Sequence, residues 1–258
     1  MKSVLVASNH PKAQEAAKNL QSRYDLTIVT KREEVKEADV ILVLGGDGFM
    51  LHTLHHFRHL NIPFYGINRG TVGFLMNTFA GNDLLERIKN ATPTTIHPLV
   101  METIDENGNR DDAVAINEVS LLRQSGQAAK ISILLDGKEQ MEELVCDGIL
   151  LATPAGSSAY NYSANGPIMP IESNMLALTP ISPFRPRRWR GALLPQHVTV
   201  TFRIKKHATR PVSAVADYFE VKNIMEVSIK QTKDIPITLL FDKGHSLEER
   251  ILHEQFAF

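Results

Sequence analysis

The chain has 258 residues, a formal net charge of −1 at pH 7 and one cysteine, Cys146. That length holds one large domain or two small ones. The near-zero charge gives no pull toward nucleic acid or anionic membrane, and a lone cysteine forms no internal disulfide and suits a reducing compartment.

The first dozen residues, MKSVLVASNHPK, carry too short an apolar run for a signal sequence and start a strand at Ser3–Ala7 instead. No run approaches transmembrane length, so the expectation is a soluble, cytoplasmic protein with neither membrane nor nucleic-acid partner. Pro11–Arg23 reads as a helix with Ala13, Ala16, Ala17 and Leu20 on one face. Leu26–Val29 is a strand. Val40–Leu44 is wholly apolar and suits a strand buried on both faces of a parallel sheet. It stops at Gly45-Gly46-Asp47-Gly48. Two readings compete there. A bare backbone can approach a phosphate, with Asp47 accepting a proton from a hydroxyl beside it. Alternatively, the glycines supply positive φ in a tight turn, and Asp47 caps the helix expected at Phe49–His59. Phe64–Ile67 is a strand and Asn82–Asn90 a helix. This alternation argues for a parallel sheet with covering helices, with ligands at the carboxyl ends of the strands.

After about Thr94 the rhythm changes. Leu99–Ile104 and Ala113–Val119 flank an Asn107-Gly108 hairpin signal, and Ile131–Leu135 and Met141–Val145 flank Asp136-Gly137. Val198–Ile204, Val212–Ala216, Glu226–Lys230 and Ile237–Phe241 are further short strands. A helical period appears near Asn174–Leu178. The expected organisation is an α/β domain at 1–94, an antiparallel β domain at 95–242, and a helix-like piece, Ser246–Gln255, within a segment 243–258 that returns to the first domain.

Two constellations carry chemistry. Asn117-Glu118, at the end of a strand, offers an amide with donor and acceptor beside a carboxylate that accepts from hydroxyls. Cys146–Ser163, CDGILLATPAGSSAYNYS, places Asp147-Gly148 before a buried strand and then a turn of small and hydroxyl residues ahead of Tyr160. Small residues admit a flat ring, hydroxyls bond it, and Tyr160 can stack or contact ribose. Other features fit blander readings. His52, His56 and His59 share a helix face that could hold a metal, but no carboxylate partner accompanies them, and a solvated face is expected. Phe184–Arg190, FRPRRWR, is too short and isolated for a nucleic-acid patch. It fits nucleotide phosphates or a subunit interface. Cys146 is expected to be a small buried residue rather than a nucleophile.

In this order and context, Gly45–Gly48, Gly66-Ile67-Asn68-Arg69-Gly70 with Gly73-Phe74, Asn117-Glu118, Asp147-Gly148, Thr153–Asn161 and Leu178–Pro183 make the chain resemble the NAD kinases over nearly its whole length. The glycine motif alone is shared with diacylglycerol and sphingosine kinases. The Asn-Glu pair with TPAGSSAY selects NAD kinase. The resemblance implies an α/β plus all-β fold: an N-terminal Rossmann-like parallel α/β domain and a C-terminal β-sandwich, with NAD between them. It implies ATP-dependent phosphorylation of the 2′-hydroxyl of the adenosine ribose of NAD to give NADP, with a divalent cation, Mg²⁺, carried by ATP rather than by protein side chains. By position, Asp47 is the proton acceptor. Gly45, Gly46, Gly48 and Arg69 lie on the phosphate side. Asn117, Ala155 and Ser158 meet adenine, Glu118 holds ribose, and Asp147 holds the nicotinamide half. Gly48, Ala159, Tyr160, Asn161 and Ser163 line the NAD pocket. Ser182 and Phe184 match positions that reach a neighbouring subunit's ligand, which implies a homo-oligomer, a dimer or tetramer, with the NAD site near the interface. Phe49 stands where many members carry a small hydroxyl residue, and Ala155 where others have serine. Two alternatives share parts of the pattern: a lipid or small-alcohol kinase using the same glycine turn, and a non-catalytic dinucleotide sensor.

Overall fold

A computed structural model describes residues 1–29, 34–35, 37–69, 73–79, 83–244 and 249. The chain divides into two compact units, Met1–Ile96 with Ile235–Phe258, and His97–Asp234.

The first unit is α/β. Strands β1 (Ser3–Ala7), β2 (Thr27–Ile28), β3 (Val40–Gly45), β4 (Phe64–Asn68) and β5 (Thr92–Ile96) join helices α1 (Pro11–Tyr24), α2 (Asp47–Phe57) and α3 (Leu84–Asn90). Every residue of β3 is buried: β1 and β4 pair with it in parallel on its two edges, and α1 and α2 pack against it. A continuous apolar run is what such a position demands. Helix α1 begins at Pro11, whose missing N–H costs nothing at a helix start, and His10 Nδ1 accepts from the Lys12 amide at 3.3 Å. Its buried face is Ala13, Ala16, Ala17 and Leu20, the face the spacing predicts.

The second unit is a β-sandwich. One antiparallel sheet is formed by β6 (Leu99–Asp105), β7 (Arg110–Ala115), β9 (Ala129–Leu135), β10 (Lys138–Cys146), β14 (Val200–Ile204) and β17 (Ile224–Gln231). The other is formed by β8 (Glu118–Arg123), β11 (Gly148–Ala152), β12 (Met175–Ile181), β13 (Ala192–Pro195), β15 (Val212–Ala216) and β16 (Phe219–Val221). Alternate residues face inward: Leu99 and Met101, Ile131 and Ile133, and Val200 and Phe202 share one core with Val119, Leu121, Ile149, Leu151, Leu176 and Leu178. That period of two makes a sandwich of the sequence. The Asn107-Gly108 signal is the β6–β7 turn, with Gly108 at φ 81°.

Several local expectations differ from the structure. Ile237–Phe241 is β18, and it lies in the first sheet, parallel to β4 and antiparallel to β5. Its alternating apolar residues read the same in either sheet, so local pattern does not assign it. The helical period at 174–178 is strand β12, held on both edges by β11 and β13. The strand expected at 113–119 is split: β7 ends at Ala115, Glu118 begins β8, and Asn117 lies just before it rather than ending a strand. The helix-like reading of 246–255 falls, Glu249 apart, outside the described residues, as does Asn82.

Candidate active site

In the first unit, the sheet's carboxyl edge brings Gly45 beside Asn68, and the Arg69 amide donates to Gly45 O at 2.8 Å. Asp47 is the first residue of α2, with Gly46 at the cap position and no side-chain cap bond. Its carboxylate accepts from the amides of Phe74, at 2.6 Å, and Leu75, at 2.9 Å. The capping reading therefore gives way: the carboxylate is held by a remote loop and is half-buried at the strand exit. The positive-φ reading also fails, since Gly46 has φ −122° and none of Gly45, Gly46 and Gly48 is left-handed. A Cβ built on Gly46 or Gly48 meets no described atom within 4 Å. Neither backbone strain nor packing requires glycine there, and the open space suits a close-approaching ligand. At Gly45 a Cβ would lie 2.8 Å from Phe49 Cδ1, so the Phe49 ring covers this glycine. Arg69 stacks over Phe79 at 4.1 Å and its Nε donates to Lys12 O at 3.3 Å.

Of the three histidines expected on a solvated face, His52 and His59 are exposed and His56, edge-on to Phe57, is half-buried; His59 lies just past the end of α2, and His55, outside that trio, is buried. No cluster of three His, Cys, Asp or Glu able to hold a metal ion occurs among the described residues.

In the second unit, segment 116–118 crosses from β7 in one sheet to β8 in the other. Its acceptors are taken by Thr153. The Thr153 hydroxyl donates to Ile116 O at 2.8 Å, and its amide to Asn117 O at 2.9 Å. Its donors go to Asp217, at φ 54° in the β15–β16 turn. That carboxylate accepts from the amides of Ile116, Asn117 and Glu118 at 2.7, 3.0 and 3.3 Å. Gly156 is demanded by contact, because a Cβ there would sit 2.2 Å from Asn117 O. The loop then runs through a 3₁₀ turn, Ala155–Ser158, into α4 (Tyr160–Ser163). Tyr160 and Ala164 lie on the outer face of the sheet against Leu150, Ala152, Met169 and Ala177.

Glu118 is only 9% exposed, and its Oε2 is buried without a hydrogen-bond partner among the described residues. Burial raises its carboxyl to about 8, the Asp217 charge adds to this, and the Tyr160 amide opposes it. The Tyr160 hydroxyl is also raised, by burial and then by the carboxylates of Glu118 and Asp147. Asp147 precedes β11, and Arg123 Nε donates to its Oδ1 at 2.6 Å. Glu118 pairs with Ala152 and Leu122 with Gly148, so Glu118 and Asp147 sit at opposite ends of the β8–β11 pair. Four or five strand steps make that separation roughly 13–16 Å.

Not every expected residue presents its side chain. Asn161 is fully buried, donating to Ser157 O and Pro167 O and accepting from Thr179 Oγ1 at 2.6 Å. Its amide is spent on the loop. Ala155 is buried, Ser158 and Ala159 are half-buried, and Ser163, Ser182 and Phe184 are exposed. Cys146 is buried, and burial pushes its thiol up to about 12, which fits the inert reading. Sequence reasoning missed Asp217, Arg123 and the anchoring role of Thr153. Only Asp217, a carboxylate just after an apolar strand, left a signal, and turns carry such residues routinely.

The ATP-NAD kinase N-terminal domain model matches residues 2–91, and the ATP-NAD kinase C-terminal domain model matches residues 116–235. The NAD kinase of Caulobacter vibrioides is 57% identical over 250 residues, 97% of this chain and 94% of that protein. The NAD kinase of Rhizobium meliloti is 53% identical over 252 residues, 98% of this chain and 96% of that protein. Among solved structures, yeast NADH kinase complexed with NADH superposes with a TM-score of 0.84 at 21% identity, covering 100% of this chain and 89% of that one. An NAD kinase from Archaeoglobus fulgidus in complex with ATP superposes with a TM-score of 0.78 at 23% identity, covering 98% of both. The two solved structures carry the fold alone; by the two family models and the two sequence relatives, this chain belongs to the NAD kinases.

Proposed function

We propose that the chain phosphorylates the 2′-hydroxyl of the adenosine ribose of NAD with ATP, giving NADP, and that Asp47 is the proton acceptor. The observation that carries this reading is the Asp47 carboxylate, fixed by two backbone amides beside glycines whose open side leaves room for phosphate. Phosphoryl transfer is mostly positioning and charge stabilisation through a loose transition state. The attacking hydroxyl keeps its proton until late, so an oriented carboxylate of modest basicity suffices. A divalent cation, Mg²⁺, held on ATP oxygens would offset phosphate charge. Glu118, whose Oε2 has no partner among the described residues, offers an acceptor to the ribose hydroxyls, and Asn117 offers both edges of an amide to adenine. Asp147 takes the nicotinamide half. The Glu118–Asp147 separation suits an extended dinucleotide, with Tyr160 between. Ser182 and Phe184, exposed on their loop, reach the ligand of a second copy in a homo-oligomer. The single buried cysteine fits a cytoplasmic enzyme.

The lipid-kinase alternative has no use for the buried Glu118 acceptor. The test is to incubate purified protein with NAD, ATP and Mg²⁺ and detect NADP with an NADP-specific dehydrogenase. No NADP under varied metals and phosphoryl donors overturns the reading.

A further inference from the structure

We propose that Asp217 is the positioning residue of the adenosine site, fixing the backbone of Ile116–Glu118 so that the side chains of Asn117 and Glu118 face the nucleotide. The proposal rests on the reading of Asn117 and Glu118 as the adenosine contacts.

The geometry begins with the crossing between sheets. A segment leaving one sheet for another loses its ladder partners, and its buried amides need acceptors. Asp217 supplies both of its oxygens: Oδ2 to Ile116 N, and Oδ1 to Asn117 N and Glu118 N. It reaches them because β15 pairs with β8, Ala216 opposite Val119, so the next residue emerges level with Glu118. Its own amide donates to Glu118 O at 3.2 Å. With Thr153 holding the carbonyls of Ile116 and Asn117, the backbone of the segment is determined on both sides. Among the described residues Glu118 Oε2 has no hydrogen-bond partner, and Asn117 is half-buried, which suits both to a ligand.

Charge makes this more than scaffolding. The groups facing Glu118 are the Asp217 carboxylate from the β15–β16 turn and Tyr160 from α4, through its amide and its phenol. Asp147 acts on Tyr160 rather than on Glu118. Among the described residues, Asp217 is thus the anion that opposes ionisation of Glu118. It aims the Glu118 carboxyl and holds back its charge until a ligand donates to it. Asparagine at 217 keeps the shape but offers one acceptor oxygen and no charge, so it separates the two effects.

The experiment uses the full chain and measures KM for NAD, KM for ATP and kcat across pH 6 to 9, with melting temperature as a folding control. Asp217→Ala is expected to raise KM for NAD about tenfold or more, as loss of two or three charge-assisted bonds implies, with kcat and KM for ATP changed less than about threefold. Asp217→Asn, the variant that keeps the fold if alanine does not, is expected to raise KM less and to move the pH midpoint of NAD binding down. Glu118→Gln separates the two levels. An unchanged KM for NAD in Glu118→Gln overturns the reading of the adenosine site itself. A raised KM in Glu118→Gln, with folded Asp217→Asn matching wild type in both KM and pH midpoint, overturns only the role of Asp217. Equal loss in kcat and both KM values in Asp217→Asn also overturns that role.

Discussion

The Phe74 amide donates to Oδ2 of Asp47 at 2.6 Å, a bond that spans 27 positions of chain. Together with Leu75 N it ties the carboxylate to a loop outside its own helix. Asp47→Asn keeps the volume but turns an amide NH₂ toward one of these backbone donors. The expected result is NAD binding within a few-fold of wild type and a kcat lower by roughly 10²–10⁴. Binding by calorimetry and turnover by the coupled assay check it, and near-normal kcat would remove Asp47 as proton acceptor.

Glu118 predicts a pH effect on stability. Its folded value, about 8, lies above its unfolded value, so the folded state binds more protons between about 4.5 and 8. Stability therefore falls as pH rises through that window. Glu118→Gln removes the penalty. It is expected to melt a few degrees higher than wild type at pH 8, to differ little at pH 4.5, and to bind NAD more weakly. Melting curves at the two pH values decide.

Ionisation of Glu118 also predicts proton release. A ribose hydroxyl donating to Oε2 favours the charged form. Below pH 8, NAD binding is expected to release part of a proton, and affinity to rise with pH. Calorimetry in buffers of different ionisation enthalpy reads this directly.

The glycines give a contrast. Gly48 lies in the first turn of α2 with open space around a built Cβ. Gly48→Ala is expected to stabilise the free protein by about 0.5–1 kcal/mol while lowering turnover several-fold. Gly156→Ala drives a Cβ into Asn117 O and is expected to cost about 2 kcal/mol or more, with a raised KM for NAD. Denaturant titration with steady-state kinetics separates the two cases.

Asp242 ties the first unit together. It accepts from Tyr65 Oη at 2.5 Å and from Arg87, and its amide donates to Asn77 Oδ1 at 2.9 Å. Asp242→Ala removes the carboxylate that Tyr65 and Arg87 share and is expected to lower stability by about 2–4 kcal/mol. A denaturant midpoint unchanged by the substitution overturns this.

Local pattern made much of this legible. The alanine face of α1, the buried run of β3 and the Asn107-Gly108 turn follow from spacing and backbone preference. Asp47, Asn117-Glu118 and the Thr153–Tyr160 loop stood out because their residue types serve chemistry. What escaped depends on partners distant in sequence. Nothing near Ile237–Phe241 says that its neighbours are Phe64 and Thr92–Ile96. Nothing in VADYFEV says that Asp217 holds amides a hundred residues earlier. The family pattern puts Asn161 in the NAD pocket, and nothing in that pattern says that Thr179 from β12 donates to its oxygen.

The return of β18 to the first sheet has a consequence for biosynthesis. All strands of the sandwich lie within 97–234, so that unit is complete as soon as its own stretch emerges from the ribosome. The first unit, though translated earlier, waits: β4 and β5 gain their shared neighbour only when Ile237–Phe241 arrives. The order of synthesis and the order of completion are thus reversed, and a stall before residue 237 leaves a finished sandwich attached to an open-edged sheet.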